Sequence, residues 1–296
     1  MILVNLKGGL GNQMFQYACG RALSLRAKAL GKASLIRLDT SGFAKIANAD
    51  TPRTFRLDMF NTKADAASDS EIHTIKYPFG IFSKAWRLFN AKVLRQFYVA
   101  FDPSVLSWGS RGANVYLDGF FQSEEYFKEF ADDIRADFTP RHPLSSTAQA
   151  LFDKISRDPY GVSVHVRRAD YVTDAKTKAV HGVCDIEYYK RAVAEVAAEV
   201  PKPNIYVFSD DIAWAKENLS FGFPTIFVSA PDIADFEELI LMSACRHNII
   251  ANSSFSWWGA WLNTNPAKMV IAPTRWANVH NDDWYKDIVP NTWKRI

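Results

Sequence analysis

From Gly161 onward, short apolar runs alternate with stretches of helical character, and that alternation limits the fold more than any other feature of the chain. Strands are expected over Gly161–Val166, Ile205–Ser209, Thr225–Val228, Asn248–Ala251 and Met269–Ala272. Helices are expected between them, over Ile186–Glu199, Ile212–Asn218, Ile233–Cys245 and Phe255–Leu262. Strands joined by helical crossovers pair in parallel, and the crossovers cover both faces of the sheet.

The chain opens in the same way. Ile2–Leu6 is an apolar run, Gly8-Gly9-Leu10-Gly11 a loop, Asn12 to Leu30 helix-like with Gly31 as its stop, and Ser34–Leu38 a second strand. Val115–Leu117 reads as a further strand, and Ser123 as the cap of a short helix. Residues 40–100 show no clear order. With 296 residues the chain exceeds the usual size of one domain. The two prolines of Thr139-Pro140-Arg141-His142-Pro143 mark the best linker. The expected division is 1–143 and 144–296, each half α/β.

Bulk properties exclude several classes. A formal net charge of +3 is too mild to imply nucleic acid. Three widely spaced cysteines, Cys19, Cys184 and Cys245, do not make a disulfide framework and suit a reducing compartment. No signal-like segment precedes Ile2 and no apolar run could span a bilayer, so a cytoplasmic protein is expected. The basic, amphipathic stretch Lys84–Arg95 leaves room for peripheral membrane contact, with a solvated helix as the plainer reading.

Four segments carry chemistry. The first is Val164-His165-Val166-Arg167-Arg168-Ala169-Asp170-Tyr171, at a strand's carboxyl end, where open parallel sheets bind ligands. Val162, Val164 and Val166 should face one way, and Ser163, His165 and Arg167 the other. Buried His and Arg need partners, and Asp170 is the obvious one. Adjacent arginines also offer forked donors that match phosphate oxygens.

The second segment is Asn252–Leu262, where Asn252 or Ser253 can cap a helix whose first amides, with serine hydroxyls beside them, make an anion site. Trp257 and Trp261 share a face there and are expected in the core. The third is Asp210-Asp211, suited to a helix cap, a ribose hydroxyl or, with no third oxygen ligand in view, less well to a metal. The fourth is the glycine loop, with Asp39 placed like a ribose-binding acid. Met14 stands where a dinucleotide fold requires a third small residue. An NAD-dependent oxidoreductase is therefore one alternative, and a non-catalytic glycan- or nucleotide-binding module another.

Taken in order, Gly8–Ala18, Tyr116–Phe127, His165–Tyr171, His181–Cys184, Phe208–Asp211 and Asn252–Leu262 resemble the α-1,2-fucosyltransferases, glycosyltransferase family 11. Ala169 departs from the glycine usual at that place. The resemblance implies a GT-B fold, two Rossmann-like domains facing a cleft, and inversion at the anomeric carbon without a metal. It also implies GDP-fucose as donor, docked on the C-terminal domain, and the 2-hydroxyl of a terminal galactose in a glycan as acceptor. Carried to this chain, Arg168 would contact the diphosphate with Arg167 in support. His165 and Asp211 would serve the guanosine. Ser253, Ser254 and Phe255 would line the phosphate end, and Gly11 and Asn12 would face the reacting sugar. Asp170 is the preferred general base over Asp174, Asp185 and His181. An oxocarbenium-like transition state can also proceed with little help from a base.

Overall fold

The computed structural model describes residues 1–45, 53–77, 80–83, 101–109, 114–168, 182–278 and 285–296. The chain forms two compact units, Met1–Arg141 with Asp283–Pro290, and His142–Asp282 with Asn291–Ile296. Each is an α/β unit with its own parallel sheet. Among the described residues no helix is long and apolar enough to cross a membrane. The Lys84–Arg95 stretch lies outside the described residues.

In the first unit, β1 (Ile2–Asn5) leads into α1 (Leu10–Ala29), followed by β2 (Ile36–Asp39) and the short α2 (Ser41–Lys45). Then come β3 (Asp65–Ala66), α3 (Asp69–Lys76), β4 (Val115–Leu117) and α4 (Ala131–Asp137). The sheet order is β3-β2-β1-β4, with Ile2 opposite Ile36 and Val115. The helix begins earlier than expected, so Leu10 and Gly11 lie inside its first turn. Extended Gly9 is the cap residue, and its carbonyl accepts from the Asn12 and Gln13 amides. Gly31 ends the helix with φ at +70°, donating to Lys28 O.

The second unit runs α5 (Ser146–Arg157), β5 (Gly161–Val166), α6 (Ile186–Glu199), β6 (Asn204–Ser209), α7 (Ile212–Asn218), β7 (Thr225–Phe227) and α8 (Asp235–Ala244). It ends with β8 (His247–Ile249), α9 (Ser254–Leu262), β9 (Val270–Ala272) and β10 (Lys294–Arg295). The sheet order is β10-β9-β8-β5-β6-β7, which puts β5 at the centre between β8 and β6.

The alternation in β5 and β6 sorts two cores. Val162, Val164, Val166, Ile205 and Val207 pack with Tyr188, Ala192 and Val196 of α6 on one face. Tyr206 and Phe208 pack with Ile155, Leu241 and Met242 of α5 and α8 on the other. Every residue of β5 is buried, as a strand covered on both faces requires. Ser163, on the less apolar side, accepts from Asn248 Nδ2 at 2.7 Å. Trp257 and Trp261 are core residues, as expected, with rings stacked at 6.2 Å between centroids.

Candidate active site

Because β5 pairs with β6 in parallel, with His165 opposite Phe208 and Val166 opposite Ser209, the next residues of both chains continue side by side. Arg167 therefore meets Asp210, and Arg168 meets Asp211. Arg167 Nη1 lies 2.8 Å from Asp210 Oδ2, and the Arg168 backbone amide donates to Asp210 Oδ1 at 2.8 Å. Asp210 thus ties the two strand ends together. Among the described residues the ion pairs of the two arginines are with Asp210 and Asp211. Strand register is the cause, since side-by-side ends bring Asp210 and Asp211 within reach. Asp170, Asp174 and His181 lie outside the described residues.

Arg168 is held differently from Arg167. Its Nε reaches Asp211 Oδ2 at 3.5 Å, the outer limit of a hydrogen bond. Its guanidinium carbon lies 3.6 Å from the centroid of the Trp214 ring. Among the described residues its two terminal nitrogens have no partner. Asp211 also caps α7, accepting from the Trp214 amide at 3.2 Å, and its side chain stays 38% exposed. The capping reading of Asp211 is thus realised together with contact to Arg168.

His165 is 4% exposed, and its ring packs on Phe255 at 5.6 Å between centroids. Burial, with Arg167 nearby, pushes its pKa down to about 3, so the imidazole is neutral at ordinary pH. Its Nδ1 is buried with no hydrogen-bond partner among the described residues. A buried polar atom of that kind is costly unless a ligand or water satisfies it.

The contact between His165 and Phe255 brings the end of β5 against the start of α9, which follows β8 and is β5's neighbour on that side. Ser253 is the cap residue of α9, and its side chain makes no capping bond. The first-turn amides of this helix thus lack a side-chain cap, leaving partial positive charge at that end. His165, Arg167, Arg168, Asp211, Ser253, Ser254 and Phe255 are accordingly gathered at the carboxyl edge of one sheet.

Beside them a cavity of roughly 300 Å³ is lined by Gly182, Cys184, Asp185, Arg191, Asn252 and Arg275, among others. Asp185 accepts from the Tyr188 amide at 2.7 Å and caps α6. Glu238, on α8, has its pKa raised to about 7. Burial is the main cause, opposed by a hydrogen bond with Ser229 and reinforced by Asp235 and Asp210. Neither Trp214 nor Glu238 was singled out in the sequence. Trp214 follows the Asp210-Asp211 pair by a helical turn, which was the available signal. Among the described residues no cluster of three or more His, Cys, Asp or Glu could hold a metal.

Gly11 and Asn12 occupy the first turn of α1 in the other unit. Asn12 Oδ1 accepts from Gln122 Nε2 at 2.7 Å. Gly8, at φ +80°, lies beneath it, and a Cβ there would meet Asn12 Nδ2 at 2.6 Å. Gln13 donates to the Gly8 and Thr54 carbonyls and accepts from the Arg56 amide, which fixes the loop against a later segment. Asp39 does not stand free for a ribose. It is buried, paired with Lys76 Nζ at 2.9 Å and bonded by Ser41 and Tyr116. Burial alone would raise its pKa, but the bonds from Ser41 and Lys76 outweigh it and hold the carboxyl low. That engagement removes the acid on which a nicotinamide reading depends.

Parallel α/β units with a ligand-ready carboxyl edge define a class, and solved structures agree on which. The fucosyltransferase NodZ from Bradyrhizobium shares the fold at a TM-score of 0.51 and 14% identity, over 87% of this chain and 91% of that one. The fold is thus that of the GT-B glycosyltransferases. A family profile described as glycosyl transferase family 11 matches residues 1–296, and the chain belongs to that family. An α-1,2-colitosyltransferase of Escherichia coli is 33% identical over 100% of this chain and 99% of its own length. The O-antigen biosynthesis glycosyltransferase WbnK of Escherichia coli is 35% identical over 92% of this chain and 93% of its own. Human galactoside alpha-(1,2)-fucosyltransferase 1 is 30% identical over 49% of this chain and 42% of its own.

Proposed function

We propose that this glycosyltransferase moves L-fucose from GDP-fucose to the 2-hydroxyl of a terminal galactose in a glycan, with inversion and without a metal. The observation that carries the reading is Arg168, anchored at its backbone amide and Nε while its terminal nitrogens are unengaged among the described residues. Cleavage of the sugar–phosphate bond leaves negative charge on the departing diphosphate, and fixed donors aimed at developing charge are the largest single source of catalysis in such reactions. Arg168 supplies a forked cation, and the first turn of α9 at Ser253, Ser254 and Phe255 supplies oriented amides. Arg167, paired with Asp210, holds the strand ends in place. Neutral His165 brings an unsatisfied ring nitrogen that a nucleoside can bond. On this reading Gly11 and Asn12 serve the reacting sugar, and Asp170 is the base if one is used.

The names of relatives support the regiochemistry, since both the colitosyltransferase and the human enzyme act at a 2-position by their printed descriptions. The full-length similarity to a colitosyltransferase favours a second reading of the donor sugar alone, with colitose in place of fucose. The deciding experiment offers GDP-fucose and GDP-colitose to wild type and Arg168→Ala, with galactose-terminated acceptors and excess EDTA, and determines product linkage. Wild type should form an α-1,2-fucoside in the presence of EDTA. Arg168→Ala should lose several kcal/mol of transition-state stabilisation, on the order of a thousandfold in turnover, at an unchanged melting temperature. Near-normal turnover in folded Arg168→Ala removes the reading, and transfer stopped by EDTA removes its metal-free part.

A further inference from the structure

We propose that Trp214 is a positioning residue for the transfer reaction, its indole face setting the plane in which Arg168 presents its terminal nitrogens to the donor diphosphate. The inference rests on the reading of Arg168 given above. Arg168 lies just past β5, and a side chain with so many rotatable bonds needs restraint if it is to act without reorganising. Its bond to Asp211, at 3.5 Å, is too long to supply that alone. The Trp214 ring centroid, 3.6 Å from the guanidinium carbon, is in close face contact with it. Stacking uses the face of the guanidinium and leaves its edge donors available, whereas an ion pair would consume them.

The ring is itself well fixed. Its backbone amide donates to Asp211 Oδ1 at 3.2 Å, and its side chain packs against the valine cluster of β5 and β6. Asp210, Asp211 and Trp214 thus restrain Arg168 at three points: backbone amide, Nε and guanidinium face. All three come from one strand end and the helix turn after it.

The test compares Trp214→Phe, Trp214→Leu, Arg168→Ala and the double variant Trp214→Leu/Arg168→Ala. Turnover, affinity for GDP, affinity for guanosine and melting temperature are measured for each. Trp214→Phe keeps an aromatic face and should stay within about threefold of wild type. Trp214→Leu should lower kcat/KM by about thirtyfold and weaken GDP by about tenfold, with guanosine affinity unchanged. In the Arg168→Ala background, Trp214→Leu should change GDP affinity by less than about twofold, because the group it positions is gone. Trp214→Met serves if the leucine variant does not fold. Wild-type GDP affinity in Trp214→Leu, equal losses with and without Arg168, or equal losses of GDP and guanosine would each overturn the inference while leaving the reading of Arg168 intact. Wild-type behaviour of Arg168→Ala would overturn both.

Discussion

His165 is a basic group kept where its charged form is excluded. Burial, with Arg167 nearby, holds its pKa near 3, against an ordinary value of 6.5. The sign of the pH effect follows. Above about pH 6.5 the ring is neutral in folded and unfolded chains alike, and burial costs nothing through protonation. Below that value the unfolded chain takes up a proton that the folded one refuses, so stability falls as pH drops from 6.5 toward 3. Between pH 7 and pH 5 the loss assigned to this one group is about 2 kcal/mol. Chemical denaturation of wild type and His165→Gln at the two pH values should show the wild type losing that much more than the variant. Parallel losses would show that the ring is accessible to protons. The residue types of this site were legible in the sequence because His165, Arg167 and Arg168 end a strand. Their partners were not. Asp210 meets Arg167 through strand register and Lys76 meets Asp39 from a distant helix, and neither pairing leaves a local mark in the sequence.

At the level of elements, periodicity located α6 and α7 to the residue, and β5 as well, because each is a short apolar pattern with clear ends. The opening segment was read less fully. Met14, which argued against a dinucleotide site, is fully buried. The close approach of helix to strand occurs further along, at Gly20, where a Cβ would lie 2.4 Å from Val4 Cγ2 and 3.2 Å from Ile36 Cδ1. A glycine in mid-helix costs about 1 kcal/mol against alanine, so its presence needs a reason, and the packing of α1 on β1 and β2 provides one. Gly20→Ala gains that propensity but overfills a closed interface, and an approach of 2.4 Å puts the cost in the upper part of the usual range, about 2 to 3 kcal/mol. The expected net effect is a loss of about 1 to 2 kcal/mol, seen as a lower denaturation midpoint at unchanged slope. A variant as stable as wild type would mean that α1 lifts from the sheet freely.

For the whole molecule, the distribution of the proposed donor-binding groups is itself testable. The second unit contains the arginine pair, the uncapped helix start and the buried histidine. The first contains Gly11 and Asn12, with Lys7 and Arg53 beside the same loop. On the proposed reading a nucleotide diphosphate should bind through the second unit, and protection of the first should need the transferred sugar. Hydrogen exchange separates these contributions, since a ligand that binds only the folded state slows exchange wherever opening would release it. At a hundredfold excess over its dissociation constant the gain is about 2.7 kcal/mol, on the order of a hundredfold in rate. GDP alone should slow amides at 165–168, 209–214 and 253–257 and leave 8–13 at their unliganded rates. A non-hydrolysable GDP-fucose analogue should add protection at 8–13. The irregular stretch from 40 to 100 offered no periodic signal and was the least legible from sequence, and an acceptor titration read in the same way would test whether it binds the acceptor. Protection of 8–13 by GDP alone, with 253–257 unaffected, would place the diphosphate on the glycine loop and return the first βα turn to the role that Met14 and the engagement of Asp39 argue against.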